Sequence, residues 1–164
     1  MALPLELVAE FDELCGHYPH KRAGLIPALH RCQEELGGWI SPETMEDVAQ
    51  YFDLEPVEVY GVVSFYPMFK LAPVGRHTIS VCHNISCVLR GAEEILSRVC
   101  SLTGAQPHGT SPDGEFTVET VECQGACANA PMFDLDGTYH EDLDPAAVDS
   151  ILARVRAADE KGAS

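Results

Sequence analysis

Apolar residues in positions 1–72 recur every three or four residues, the spacing that places side chains along one face of an α-helix. They form four stripes: Leu7, Val8, Phe11, Leu14 and Cys15; Leu25, Ile26, Leu29, Cys32 and Leu36; Met45, Val48, Ala49 and Phe52; and Val59, Val62, Val63 and Tyr66. Gly37-Gly38 is a helix stop after the second stripe, and Ser41-Pro42 is a helix start before the third. We therefore predict four helices that share an apolar core.

The fourth stripe lies in the segment VEVYGVVSFYPMF, which is rich in β-branched and aromatic residues. Propensity alone would permit a strand there. Pro56 at its start and the spacing of its apolar residues favour a helix, and a helix is what we predict.

The pattern changes near residues 71–75, and strand-like segments follow. HTISVC (77–82) and FTVETVEC (116–123) are predicted strands, and residues 88–104 are a predicted helix that ends at Gly104. GTSPDGE (109–115) is a turn-rich connection. Asp136-Gly137 predicts a hairpin of two short strands, and Asp144-Pro145 is expected to cap a final helix that runs to about Arg156.

This order of elements predicts a small mixed sheet. A strand–helix–strand unit gives a right-handed parallel pair, and the hairpin would extend the sheet antiparallel. The expected fold is α+β, with helices first and then a mixed sheet of thioredoxin-like topology. We place a helical domain at residues 1–72, a sheet domain at 73–158 and a tail at 159–164.

Composition and charge exclude several partners. Hydrophobic residues make up 46% of the chain, and 26 acidic against 10 basic residues give a formal charge of −16. Nucleic acids and anionic membranes attract basic surfaces, so neither is an expected partner, whereas a basic surface of another subunit is.

The apolar runs are shorter than the ~20 residues of a membrane helix. The N-terminus lacks the early Lys or Arg of a signal or transit peptide, so we expect a cytoplasmic protein without direct membrane insertion.

Four of the seven cysteines form two pairs, each after a predicted strand. Cys82 and Cys87 are spaced C-x4-C, and Cys123 and Cys127 are spaced C-x3-C. If the two strands are parallel neighbours, both pairs lie at the same edge of the sheet. An odd number of cysteines in a cytosolic-looking chain argues against a disulfide framework and favours metal or redox chemistry.

Two metal centres suit four thiolates. Structural zinc sites mostly use C-x2-C pairs, and thioredoxin-type disulfides also need that spacing, which is absent here. A [2Fe–2S] cluster needs two thiolates for each iron, which two separate pairs supply. The spacing favours iron–sulfur and leaves a zinc site with four cysteine ligands as the alternative. We reject His83 as a ligand because the second pair has no equivalent histidine.

The surroundings of the pairs suit a negatively charged cluster. The helix predicted from residue 88 would point its N-terminus at the first pair. Gly125 and Ala126 are small enough to bring backbone N–H groups close to sulfur, and Asn84 and Ser86 can add hydrogen bonds. Cys15 and Cys32 lie on apolar helix faces, so we expect buried structural thiols there, and we expect Cys100 in the core or at its boundary.

The segments HTISVCHNISCVLRGAEEIL and FTVETVECQGACANAPMF resemble the E-type subunit of bacterial NADH:quinone oxidoreductase, respiratory complex I. GVVSFYPMFKLAPVG and HEDLDPAAVDSIL are also similar to that family, so the resemblance extends to about residue 156. It implies an N-terminal helical bundle and a thioredoxin-like ferredoxin domain. It also implies one [2Fe–2S] cluster on Cys82, Cys87, Cys123 and Cys127.

The resemblance further implies an electron-transfer subunit without a substrate site of its own, in the peripheral arm of a larger respiratory complex. The cluster would take single electrons from the FMN of a partner flavoprotein subunit that binds NADH. Related subunits serve NAD-linked hydrogenases and formate dehydrogenases, so the host complex is open. A structural zinc module for assembly is the alternative from a different class. Ala130-Pro131 precedes the third predicted strand, where thioredoxin folds often carry a cis proline, and the residues leave this open.

Overall fold

Helices occupy the first part of the chain, and a mixed sheet with flanking helices occupies the second. The computed structural model describes residues 3–162, and these separate into two compact units between Val74 and Gly75. The elements are α1 Leu5–Gly16, α2 Leu25–Glu35, α3 Pro42–Phe52, α4 Pro56–Phe65, β1 His77–Cys82, α5 Ile85–Leu89, α6 Ala92–Thr103, β2 Gly109–Thr110, β3 Phe116–Val121, β4 Phe133–Leu135, β5 Thr138–His140 and α7 Pro145–Gly162. Within the described residues, every helix is too short or too polar to span a membrane.

The four helices predicted for the first unit are confirmed, including α4 in its β-prone sequence. Ser41 caps α3 as expected, because its hydroxyl accepts a hydrogen bond of 3.1 Å from the N–H of Thr44. The helices share one core, whose most buried members include Phe11, Ala28, Leu29, Cys32, Ile40, Val48, Val59 and Val63. Burial raises the pKa of the Cys32 thiol to about 12, which agrees with a structural role for this cysteine.

The second unit is built on a five-stranded sheet with the strand order β2-β3-β1-β4-β5. Strands β1 and β3 are parallel as predicted, and Cys82 lies opposite Val121 in their register. Strands β4 and β5 form the predicted hairpin, and β4 pairs antiparallel with β1. The core contains residues from the sheet, α6 and α7, among them Ile79, Ile95, Phe116, Phe133 and Leu152. Cys100 packs against this core, half-buried.

Four predicted boundaries are wrong. The strand predicted over 116–123 ends at Val121, two residues before Cys123. The helix predicted over 88–104 is two helices, because α5 ends at Leu89 and Gly91 adopts a left-handed φ of 98° before α6 begins. The connection 109–115 contains the short strand β2, which pairs with β3. Helix α7 continues past Arg156 to Gly162. In this extension, Asp159 forms ion pairs with Arg76 and His77 at the start of β1.

His77, at the start of β1, lies between two carboxylates. Its Nδ1 is 2.5 Å from Asp136 Oδ2, and its Nε2 is 3.1 Å from Asp159 Oδ2. Burial by itself would lower the pKa of His77, but the hydrogen bonds to Asp136 and Asp159 outweigh burial and raise it above the usual 6.5. Both ring nitrogens can donate only when the imidazole is protonated.

This arrangement predicts a pH-dependent contribution to stability. Because the folded-state pKa is raised, the contribution is fully present below about pH 6.5 and is lost as the pH rises through the folded-state value. Urea unfolding at about pH 6 and about pH 8 should show a loss of stability in the wild type that is smaller in His77→Gln. An equal loss in both proteins would contradict the assignment.

Candidate metal centre

The four predicted site cysteines lie at one edge of the sheet. Cys82 is the last residue of β1, and Cys123 follows the end of the neighbouring parallel strand β3. Cys87 lies in α5, and Cys127 begins a short 3-10 helix, Cys127–Asn129, that contacts α5. The topology therefore brings both cysteine pairs together, because the carboxyl ends of adjacent parallel strands share one edge.

Cys82 and Cys87, the inner pair, are buried. Their exposed fractions are 3% and 2%, and they pack with Ala92, Ala130 and Met132. The N–H of Cys82 donates to the carbonyl of Met132 at 3.2 Å, which fixes the end of β1. Burial first, and then the neighbouring Cys82 thiol, raise the pKa of Cys87 to about 11. A metal ion at this pair would therefore have to displace a proton from Cys87.

Cys123 and Cys127, the outer pair, are exposed. Their sulfurs are 3.3 Å apart, and the N–H of Gly125 donates to Cys123 Sγ at 3.4 Å. This backbone donor, and then the Cys127 thiol, lower the pKa of Cys123, whereas the pKa of Cys127 is raised by its hydrogen bond with Cys123. Gly125 has a φ of 89°, which suits glycine and turns its N–H toward the sulfur. Of the two small residues expected to bring a backbone N–H to sulfur, Gly125 and Ala126, the prediction is confirmed for Gly125.

Two helices begin at the site: α5 at Ile85, between Cys82 and Cys87, and α6 at Ala92. Ala92, the first residue of α6, is fully buried against the inner pair. The positive end of the helix dipole therefore lies beside the buried thiols, where it favours negative charge. Asn84 caps α5, because its side-chain oxygen accepts the N–H of Ile85 at 2.9 Å.

Three residues near the thiols, Gln124, Met132 and Tyr139, are not fixed positions of either cysteine motif in the sequence. Met132 covers the inner pair, and the Tyr139 hydroxyl donates to the carbonyl of Gln124 at 3.0 Å, which ties the outer loop to β5. The side-chain oxygen of Gln124 is buried without a hydrogen-bond partner among the residues described. The hairpin signal could have placed Tyr139 on β5, but no spacing rule predicts its reach to the outer loop. Ala130-Pro131, beside the inner pair, is a cis peptide bond.

The grouping of the four thiols suits two metal atoms with two thiolate ligands each. The sulfurs stand as two pairs, with Cys87 against Cys82 and Cys123 against Cys127. Two thiolates for each of two irons is the ligand set of a [2Fe–2S] cluster.

Comparisons with known proteins add independent findings. The profile of the family described as thioredoxin-like [2Fe-2S] ferredoxin matches residues 11–156. An E-type subunit of the NADH-quinone oxidoreductase of Rhizobium meliloti is 39% identical over 150 residues, which cover 92% of this chain and 89% of that protein. NADH-quinone oxidoreductase subunit 2 of Thermus thermophilus is 39% identical over 149 residues, which cover 89% and 82%.

A solved structure is also similar. The crystal structure of an NAD+-reducing [NiFe]-hydrogenase in the air-oxidized state superposes with a TM-score of 0.72 at 25% identity. The match covers 82% of this chain but only 23% of the hydrogenase chain.

Proposed function

The chain belongs to the thioredoxin-like [2Fe-2S] ferredoxin family, and we propose that it is the electron-transfer subunit of an NADH:quinone oxidoreductase. Cys82, Cys87, Cys123 and Cys127 would hold one [2Fe–2S] cluster. When bound, the cluster supplies the ability to accept and release one electron at a time. The observation that carries the proposal is the meeting of two thiol pairs, one buried and one exposed, at the carboxyl edge of β1 and β3.

The chain's own residues would give the cluster its environment. The inner pair lies in an apolar setting of Ala92, Ala130 and Met132, which keeps water from one side of the site. On the other side, the N–H of Gly125 would continue to donate to the sulfur of Cys123. Hydrogen bonds to sulfur and the degree of exposure are the means by which a protein tunes such a centre.

The partner in this proposal is a flavoprotein subunit that binds FMN and NADH. The sequence has no G-x-G-x-x-G motif and no P-loop, so a nucleotide-binding partner is expected to supply the hydride chemistry. The relatives named above are subunits of multi-subunit oxidoreductases, which supports a role within a larger complex. The formal charge of −16 fits docking on a basic surface. We place the chain in the cytoplasmic peripheral arm of that complex.

Reduction by NADH tests the electron-transfer role. The purified, cluster-loaded chain mixed with a large excess of NADH over NAD+ should keep its visible absorbance, and addition of the flavoprotein subunit should partly bleach it within seconds, because a potential as low as the one expected below permits only partial reduction by NADH. Dithionite provides the reference for complete reduction. Bleaching by NADH without the flavoprotein, or no bleaching with it, would contradict the proposal.

The similarity to the NAD+-reducing hydrogenase supports a second host complex. The same electron-transfer role would then connect a flavin to a hydrogenase module instead of a quinone-reducing one. Affinity isolation of the tagged chain from its own cells, followed by identification of the co-purifying subunits, separates these hosts. Quinone-reducing subunits are the expected result, and hydrogenase subunits would reassign the host.

The reduction potential should be low. Acidic side chains lie beside the cysteine loops, since Glu122 accepts a 3.4 Å hydrogen bond from Asn84 and Glu93 is 3.9 Å from His83. Negative charge nearby disfavours the addition of an electron. A potentiometric titration should therefore give a midpoint toward the plant-ferredoxin end of the range, at about −400 mV. A midpoint above zero would contradict this view of the site.

A further inference from the structure

The inner and outer cysteine pairs differ in their access to reagents. Both inner thiols are almost fully buried, at 3% and 2% exposure, whereas Cys123 and Cys127 are exposed with their sulfurs 3.3 Å apart. A small oxidant in solution can therefore reach one pair and not the other. Thiols react with oxidants according to their accessibility, so the two pairs should behave differently before a cluster is present.

We propose that Cys123 and Cys127 form a reversible disulfide in the cluster-free protein, and that this disulfide blocks cluster loading while Cys82 and Cys87 stay reduced. The effect on loading rests on the proposed function, whereas formation of the disulfide does not. The site is thus a redox modification site on the ligand loop itself.

The outer loop can make the small movement that the bond requires. A disulfide has an S–S distance of about 2.05 Å, so the sulfurs must approach by a little more than 1 Å. Gly125, between them, has open space where a side chain would lie, and it sits outside regular secondary structure. The loop can therefore adjust without moving β3.

The inner pair is held where it is. Cys82 is part of β1 and is hydrogen-bonded to Met132, and Cys87 is part of α5. Its sulfurs are covered by Ala92, Ala130 and Met132. An oxidant would have to open this packing before it could attack.

The chemistry balances with a low-molecular-weight disulfide, such as oxidised glutathione, as the oxidant. One outer thiolate attacks a sulfur of the small disulfide, which releases one small thiol and leaves a mixed disulfide. The second outer thiolate then attacks the protein sulfur of that mixed disulfide and releases the other small thiol. Two S–H bonds are lost, one S–S bond forms in the protein, and the small disulfide is reduced to two thiols.

A disulfide in the outer pair removes two of the four ligands. Iron is bound by thiolates, and neither sulfur of a disulfide is one. Reduction by a thiol would restore the ligands. Cluster loading would therefore depend on the redox state of the compartment as well as on the supply of iron.

Peptide mapping of the full-length, metal-free protein tests disulfide formation. The protein is incubated with oxidised glutathione, alkylated under denaturing conditions and digested, with a urea-denatured sample as the reference. The expected result is a Cys123–Cys127 bond and five alkylated cysteines of the seven in the chain. A Cys82–Cys87 bond, glutathione retained on the outer loop, seven free thiols, or the same mixture of pairs as in the denatured sample would each overturn the proposal.

Variants supply matched controls. Cys127→Ser should retain glutathione at Cys123, because the second thiol is missing, whereas Cys82→Ser should still form the outer disulfide. Loss of the outer disulfide in Cys82→Ser would overturn the proposal.

Iron uptake tests the block on loading. Oxidised metal-free protein given ferrous iron and sulfide should take up less than about a tenth of the iron bound by the reduced sample, and dithiothreitol should restore uptake. Equal uptake without dithiothreitol would overturn the block even where mapping finds the disulfide. A reduced sample that takes up no iron would instead contradict the proposed function, and it would leave the peptide-mapping result unaffected.

Discussion

Replacing Cys87 with serine should reduce the iron content and visible absorbance of the purified protein by more than about tenfold, since even changes outside the ligand shell of metal sites cost 10–100-fold in affinity. Cys87 is 2% exposed and lies against Cys82 in the inner pair. Its thiolate is the ligand, and a serine hydroxyl at neutral pH is not an equivalent donor. Iron analysis and the visible spectrum of anaerobically purified protein provide the measurement.

Cys100→Ser is the matched control for this variant. It makes the same chemical change at a half-buried helical thiol of the same unit, away from the two pairs. We expect its iron content to equal that of the wild type. Circular dichroism shows whether either variant has lost its fold. Equal iron in a folded Cys87→Ser variant and in Cys100→Ser would contradict the ligand assignment.

Replacing Phe116 with alanine should lower the free energy of unfolding of the sheet unit by about 3–5 kcal/mol. Phe116 is fully buried in β3, beside the ring of His77 and the guanidinium of Arg156. Truncation removes its apolar contacts and leaves a cavity between the sheet and α7. Urea unfolding followed by a probe in the sheet unit gives the value.

Leu89→Ala, in the same unit, is the comparison for this stability prediction. Leu89 is 79% exposed at the end of α5, so its truncation leaves no cavity. Its effect on the free energy of unfolding should be within about 0.5 kcal/mol. A similar loss of stability in both variants would show that Phe116 is not the core anchor that the packing indicates.

The meeting of the two cysteine pairs was predictable because it depends on strand ends. β1 and β3 have the alternating, β-branched composition of strands, and a strand–helix–strand unit is parallel. Those two facts place Cys82 and Cys123 at neighbouring strand ends. The helices of the first unit were equally predictable, because each presents a regular apolar stripe that ends at a glycine or begins at a cap.

The difference in solvent exposure between the inner and outer cysteine pairs was not predictable from cysteine spacing. It arises because residues after Cys82 form α5, which buries Cys87, whereas the residues between Cys123 and Cys127 stay in a loop. Arg90 and Gly91 end α5 through a left-handed turn, and a glycine in a helical pattern does not by itself reveal such a break. Burial by Met132 depends on β4, which is distant in sequence.

Two other misplaced boundaries each depend on a single side-chain contact. Strand β2 is only two residues long, and a hydrogen bond of 2.8 Å between the hydroxyls of Thr110 and Thr117 joins it to β3. So short a strand has no detectable alternation. The last turns of α7 are held by the ion pair between Arg76 and Asp159, a long-range contact that helix propensity does not include.

The measurement that tests the central claim most directly is metal analysis with EPR on the anaerobically purified full chain. A [2Fe–2S] centre on the four cysteines predicts about two irons and two acid-labile sulfides per chain, a coloured protein, and a rhombic EPR signal after reduction by dithionite. A colourless protein that contains one zinc per chain, with no iron and no EPR signal, would contradict the account.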